Sequence, residues 1–191
     1  MKYIISLLLL LLFSCHIFAQ YDYEPTADQP FGKLNPVAFP QTGDYEPLIG
    51  ISTCKSQSRA SDGTWNNEVD MIWRWKYIMN GMAVQDETLK ADGLHSGSIR
   101  QFNADSAKWY VHYYASATAV TSLPVWGGSK TEEGKIVLYR DQKSPNGLDG
   151  FYRLTFSEIT NESFNWVGEW VSADESIVFP TWKITCEKNK S

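Results

Sequence analysis

Short runs of aromatic and β-branched residues, separated by turn-forming residues, make up the chain from Leu48 onward. No segment there shows a long apolar repeat of 3.6 residues, so the pattern predicts strands rather than helices. We expect the strands at residues 48–59, 64–79, 82–91, 94–102, 108–116, 134–140, 150–158, 163–171 and 178–187. The long connection at 116–133 contains Gly127-Gly128 and is interpreted as a loop that either forms a flap or plugs one end of the fold.

Consecutive short strands joined by tight turns must protect their edges. They do so by closing into a barrel or by packing as a two-sheet sandwich. The strand-after-strand order favours closure, and we therefore predict an all-β fold, a single antiparallel up-and-down β-barrel of about 8–10 strands.

The dipeptide Asn80-Gly81 predicts a two-residue type I′ hairpin turn. Such a turn sets the pairs Met79 with Met82, Tyr77 with Val84, Trp75 with Asp86, and Arg74 with Glu87. The opposite charges of Arg74 and Glu87 then lie across from each other on the outer face. The inner face is expected to hold Met71, Trp73, Trp75, Tyr77 and Met79 together with Met82, Val84, Asp86 and Thr88.

A second two-residue turn is expected at Asp92-Gly93, which would pair Lys90 with His95. This register predicts that His95, Gly97, Ile99 and Gln101 point inward, and that Ser96, Ser98, Arg100 and Phe102 point outward. Beyond Asn103 the loop length is not defined by the sequence. A shift of one residue would exchange the two faces of the next strand, so the sequence does not predict whether His112 points inward or outward.

Several linked patches resemble a family of uncharacterised bacterial exported proteins with a lipocalin-like (calycin-like) β-barrel domain. The patches are residues 62–65, 73–87, 97–100, 108–109, 163–166 and 181–184, and the resemblance covers 48–188. It implies the barrel fold but no particular activity, because related barrels bind lipophilic molecules, bind haem or act as enzymes. The chain departs from true lipocalins, since Gly50-Ile51-Ser52 stands where they carry Gly-Xaa-Trp.

The first residues have the layout of a secretory signal peptide, with Lys2, an apolar core and small Ala19 before Gln20. We predict a signal peptide at 1–19, a proline-containing extended arm at 20–47 and the barrel domain at 48–188. The apolar run is shorter than the ~20 residues of a transmembrane helix. The protein is therefore expected to be exported, periplasmic or extracellular. Acylation at Cys15, giving a membrane-anchored lipoprotein, is the alternative.

The formal net charge is −5 and the basic residues form no stripe, so nucleic acid is not an expected partner. Cys54 and Cys186 fall in the first and last predicted strands, which are neighbours in a closed barrel. Export permits a disulfide between them. Two separately buried thiols are the alternative.

The inward aromatic side chains could form the walls of a small-molecule pocket with a few polar groups. The candidate ligand-binding residues are Trp73, Trp75, Tyr77, Asp86, His95, Gln101 and Trp126. We expect a small, largely apolar ligand. A filled core serving a surface or partner-interaction module, and an enzyme using Asp86 with a histidine as acid and base, are the alternatives. No metal-binding or nucleophile motif is present, and neither a metal nor a cofactor is expected.

Overall fold

The computed structural model describes residues 21–189, which form one 3₁₀ helix, Pro40–Leu48, and ten β-strands. The strands are β1 Gly50–Ser58, β2 Val69–Ile78, β3 Ala83–Lys90, β4 Ser96–Asn103, β5 Lys108–Ala115, β6 Val125–Lys130, β7 Ile136–Asp141, β8 Gly150–Ser157, β9 Ser163–Ser172 and β10 Val178–Lys188. The predicted signal peptide and Cys15 lie outside the described residues.

The ten strands form a closed antiparallel barrel in which each strand pairs with its neighbours in sequence and β1 pairs with β10. The predicted fold class is confirmed. Closure leaves no unpaired edge, which is the physical advantage of a barrel over a sandwich for a run of short strands.

The sequence does not predict strand β6, because Gly127-Gly128 is typical of a flexible loop. The structure pairs Gly128 with Trp109 on one side and with Leu138 on the other. A Cβ atom at Gly128 would lie 2.0 Å from the carbonyl oxygen of Val137. The glycine therefore permits a close approach of two strands rather than marking a loop.

The predicted register of the first hairpin is confirmed, with Tyr77 opposite Val84 and Trp75 opposite Asp86. Asn80 and Gly81 have φ of 53° and 77°, as a type I′ turn requires. Met79 and Met82 were expected inside but are exposed, because they lie in the turn beyond the end of the barrel.

The predicted register of the next hairpin is wrong by one residue. Thr88 pairs with Ser96 and Asp86 with Ser98. The turn has three residues, with Gly93 at φ 80° and its N–H bonded to the Lys90 carbonyl. This is the type I turn followed by a left-handed residue that commonly closes three-residue hairpins. Since side chains alternate along a strand, the slip exchanges the two faces of β4.

As a result, the structure places Ser98 and Arg100 inside the barrel and His95 and Gln101 on the exposed surface. The predicted orientation of these four side chains is wrong. The pairing of β4 with β5 determines which side chains of β5 face inward. Arg100 pairs with Val111, and both side chains are buried inside the barrel. His112 is next to Val111 in the strand and lies on the outer face.

A disulfide joins Cys54 to Cys186 across the β1–β10 closure, with a Cα–Cα distance of 4.1 Å. Both residues are buried inside the barrel. Of the two alternatives that the sequence leaves open, the structure therefore shows the disulfide, and its two cysteines are 132 residues apart in sequence.

One end of the barrel is closed by the segment that precedes β1. Tyr45 of the 3₁₀ helix is fully buried, stacks on Trp75 at 5.6 Å and meets the edge of Trp109 at 4.8 Å between ring centroids. The preceding residues are tied to the first hairpin, where the Asn35 side chain donates to the Asn80 carbonyl at 3.0 Å. The aromatic core therefore fills this half of the barrel. No helix within residues 21–189 has the length and apolar character needed to cross a membrane.

Candidate functional site

The other half of the barrel contains a cavity of about 290 Å³ that opens between the loops at that end. Its walls are mainly aromatic and aliphatic, and they include Trp73, Trp126, Trp166, Trp182, Leu154 and Ile184. The polar side chains of the lining include Thr88, Ser96, Ser98 and Gln142, and its charged groups are Asp86, Arg100 and Arg140. A concave apolar site with a few placed polar groups is typical of small-molecule binding.

The inner part of the cavity wall is held by an ion pair between Asp86 and Arg100. Their side chains are only 5% and 4% exposed, and Arg100 Nη2 lies 2.7 Å from Asp86 Oδ1. The other Asp86 oxygen accepts a hydrogen bond from Trp73 Nε1 at 2.8 Å, and Ser98 Oγ also donates to the carboxylate. Every one of these partners comes from β2 or β4, on either side of Asp86 in β3.

This arrangement explains how a carboxylate is tolerated inside an aromatic barrel. A buried charge is costly unless it is paired and hydrogen-bonded, and Asp86 is both. Since both carboxylate oxygens already accept hydrogen bonds, Asp86 is poorly placed to take a proton from a substrate. No histidine of the described residues lines the cavity. The acid–base pair of the enzyme alternative is therefore not assembled here.

Arg100 packs among the aromatic rings that separate the cavity from the closed end. Its guanidinium carbon lies 4.6 Å from the Trp75 ring centroid and 4.9 Å from that of Tyr45. Burial raises the pKa of Tyr45 to about 12, against the opposing effect of the adjacent Arg100 charge. The Nη1 atom of Arg100 is buried without a hydrogen-bond partner.

Arg140 stands at the mouth of the cavity. Its guanidinium lies over the Trp126 ring, 4.3 Å from the centroid, and Nη2 donates to Gln142 Oε1 at 2.7 Å. Partial burial lowers the pKa of Arg140 below its usual value. Tyr152, which lines the same wall, shares a hydrogen bond of 2.8 Å with the Thr181 hydroxyl, and burial raises its pKa.

The loops around the mouth expose apolar side chains. Leu94, Val120, Leu148 and Ile177 come from four different loops, and each is about half exposed. Residues 116–123 are exposed throughout, so they do not fill the barrel end. An apolar molecule approaching the cavity would therefore meet a partly apolar rim.

The structure brings together three of the seven predicted site residues in the cavity lining, namely Trp73, Asp86 and Trp126. Trp75 and Tyr77 face inward but are packed in the closed half, whereas His95 and Gln101 are outside.

Sequence reasoning missed the two arginines of the lining. The one-residue slip places Arg100 on the outer face, and the sequence does not define the register of the strand that contains Arg140. An inward arginine was nevertheless foreseeable, because an inward Asp86 requires a partner. No cluster of three or more His, Cys, Asp or Glu side chains within residues 21–189 is arranged to hold a metal ion.

Comparison with known proteins adds little to the interpretation of this site. No protein-family model matches the chain, and no curated protein matches it. Among solved structures, it is similar to the S-type phycobiliprotein lyase CPES from Guillardia theta, at 10% identity and a TM-score of 0.48. That alignment covers 77% of this chain and 91% of the lyase. The site is therefore interpreted from its own residues.

Proposed function

We propose that the protein binds a small, largely apolar molecule in the open half of the barrel. The observation that carries this proposal is the cavity of about 290 Å³, walled by tryptophans and open at one end while the other end is filled. Its size is near the lower end of the ~300–1,000 Å³ of small-molecule sites. The ligand is accordingly compact.

The energetics favour an apolar occupant. A volume of this size corresponds to about ten water molecules at liquid density. Water at the tryptophan walls finds few hydrogen-bond partners, and an apolar molecule that displaces it removes aromatic surface from solvent. Aromatic rings such as Trp73 and Trp166 also offer faces and edges for stacking against a flat ligand.

A fluorescent lipophile tests the proposal. N-phenyl-1-naphthylamine is neutral, and its emission rises in an apolar site. We expect saturable binding by the wild type, and loss of binding in Leu154→Trp, because Leu154 lines the cavity and a larger ring would occupy it. The matched control is Thr155→Trp, which introduces the same ring at the next position of β8, where the side chain points outside the barrel.

Circular dichroism first establishes that both variants are folded, so that a change in dye binding reports on the cavity. Binding that survives Leu154→Trp at unchanged affinity would place the dye elsewhere and refute the proposal. Absence of saturable binding by the wild type would refute it as well. Native mass spectrometry of the protein from its source, before and after organic extraction, then identifies any natural ligand by its mass.

We also infer that the protein is exported, with 1–19 as a cleaved signal peptide, 20–47 as an N-terminal arm and 48–188 as the barrel domain. The disulfide supports export, because such bonds persist in oxidising compartments. The resemblance of the sequence patches to the exported calycin-like family also supports it. N-terminal sequencing of the mature protein tests this inference, since a start at Gln20 supports it and an acylated Cys15 would favour the lipoprotein alternative.

A further inference from the structure

The charged groups of the cavity lining do not balance. Asp86 and Arg100 neutralise each other as a buried pair. Arg140 remains, and no carboxylate within residues 21–189 lies close enough to form a salt bridge with it. The lining therefore carries one surplus positive charge, although the chain as a whole has a formal net charge of −5.

The buried polar atoms of the lining that lack a hydrogen-bond partner are all hydrogen-bond donors. Two buried side-chain atoms of lining residues lack a hydrogen-bond partner, Arg100 Nη1 and Trp126 Nε1. Guanidinium and indole N–H groups are donors only. Both oxygens of Asp86 already accept hydrogen bonds, and the unpartnered Tyr45 hydroxyl beside Arg100 belongs to the closed half of the barrel. An occupant that completes this site therefore supplies acceptors.

Arg140 is prepared to receive such an acceptor. Stacking on the Trp126 ring holds the guanidinium plane at the mouth, and Gln142 takes only one of its five N–H groups. A planar guanidinium that is already oriented loses little freedom on binding, and its geometry matches the two oxygens of a carboxylate.

We infer that the ligand is a monocarboxylate with an apolar body, whose carboxylate binds Arg140 at the mouth while the body lies among the tryptophans. This inference rests on the proposed function and narrows its ligand class. One negative charge matches the single surplus positive charge. A doubly charged phosphate would bring a second charge into an apolar site without a partner, which is costly.

The test compares two probes of nearly the same shape, 2-naphthylacetate and its neutral amide, 2-naphthylacetamide, by isothermal titration calorimetry at pH 7. A charge-assisted hydrogen-bonded contact in a partly buried site corresponds to about a tenfold or greater preference. We therefore expect the wild type to bind the acid at least about tenfold more tightly than the amide.

Arg140→Gln should reduce the affinity for the acid by about the same factor and leave that for the amide nearly unchanged. Arg140→Lys keeps the charge and should retain a preference for the acid. The matched control is Arg74→Gln, because Arg74 is exposed on the outer face of β2 and should affect neither probe. Urea unfolding of each variant shows whether the fold is retained.

Each outcome bears on a different statement. Equal affinities for acid and amide in the wild type would overturn the carboxylate inference while supporting an apolar binding site. A preference for the acid that persists in Arg140→Gln would overturn the role of Arg140. If neither probe binds, both the inference and the proposed function fail.

Discussion

Replacing Asp86 by asparagine should destabilise the fold strongly, because it leaves the Arg100 charge buried without its counter-ion. The two groups are about 95% buried and joined at 2.7 Å between Nη2 and Oδ1. Unit charges about 4 Å apart attract by about 4 kcal/mol at an effective dielectric constant of about 20. Removing one partner of a buried pair costs about 3–5 kcal/mol in measured cases.

Two features place the expected loss for Asp86→Asn near the lower end, at about 3 kcal/mol. Asparagine keeps an oxygen that can accept from Trp73 or Ser98. Arg100 also remains between the Tyr45 and Trp75 rings, where cation–π attraction offsets part of the lost pairing. The free energy of unfolding is measured by urea titration followed by tryptophan fluorescence and by circular dichroism.

A double-mutant cycle with Arg100→Met identifies the cause. Methionine is an apolar side chain of similar length, so the double variant has no unpaired buried charge and should be more stable than Asp86→Asn alone. Asp70→Asn is the control, because the surface pair Lys55–Asp70 is 54% and 70% exposed and contributes little. The reasoning is refuted if Asp86→Asn is as harmless as Asp70→Asn, or if the double variant loses the full sum of both single losses.

Three further results are expected from the same fold. Replacing both Cys54 and Cys186 by alanine should lower the free energy of unfolding in urea by up to about 5 kcal/mol, the chain-entropy value for a separation of 132 residues; unchanged stability would contradict this. Gly128→Ala should destabilise the barrel by several times more than Gly127→Ala in thermal unfolding, because the new Cβ would lie 2.0 Å from a carbonyl oxygen at the first position and 3.6 Å from the nearest atom at the second; equal effects would show that the close approach relaxes. Burial raises the pKa of Tyr45 from 10.0 to about 12, so the folded state keeps this proton to a higher pH than the unfolded chain does. About 3 kcal/mol of stability should therefore be lost as the pH rises from about 10 to 12. Tyr45→Phe should show a smaller loss in the same urea titrations, and a pH profile identical to that of the wild type would exclude this cause.

Local sequence patterns were sufficient to predict the fold class and the register of one hairpin. Alternating side chains define strands directly, and Asn80-Gly81 sets a turn whose conformation few other residues adopt, so the pairing of Trp75 with Asp86 followed without any knowledge of the rest. Asp92-Gly93 is compatible with a two-residue or a three-residue turn. That single ambiguity placed Arg100 on the wrong face.

The candidate site depended on longer-range information. Trp73 and Asp86 were identified because they lie in the hairpin of known register, whereas Arg140 reaches the same cavity from β7, far along the chain. Gly128 shows the limit in another way. A glycine required by a neighbouring strand and a glycine in a flexible loop look alike in sequence.

By itself, therefore, the sequence determined that the chain forms a barrel of short antiparallel strands, that β2 and β3 pair in a given register, and that Cys54 and Cys186 fall in the first and last strands. Only the tertiary structure decided which end is filled by Tyr45, which side chains of β4 face inward, and that the lining holds an unpaired Arg140. The reason is physical. Alternation and turn conformation act between residues close in sequence, whereas cavity volume and charge balance are sums over strands that closure alone brings together.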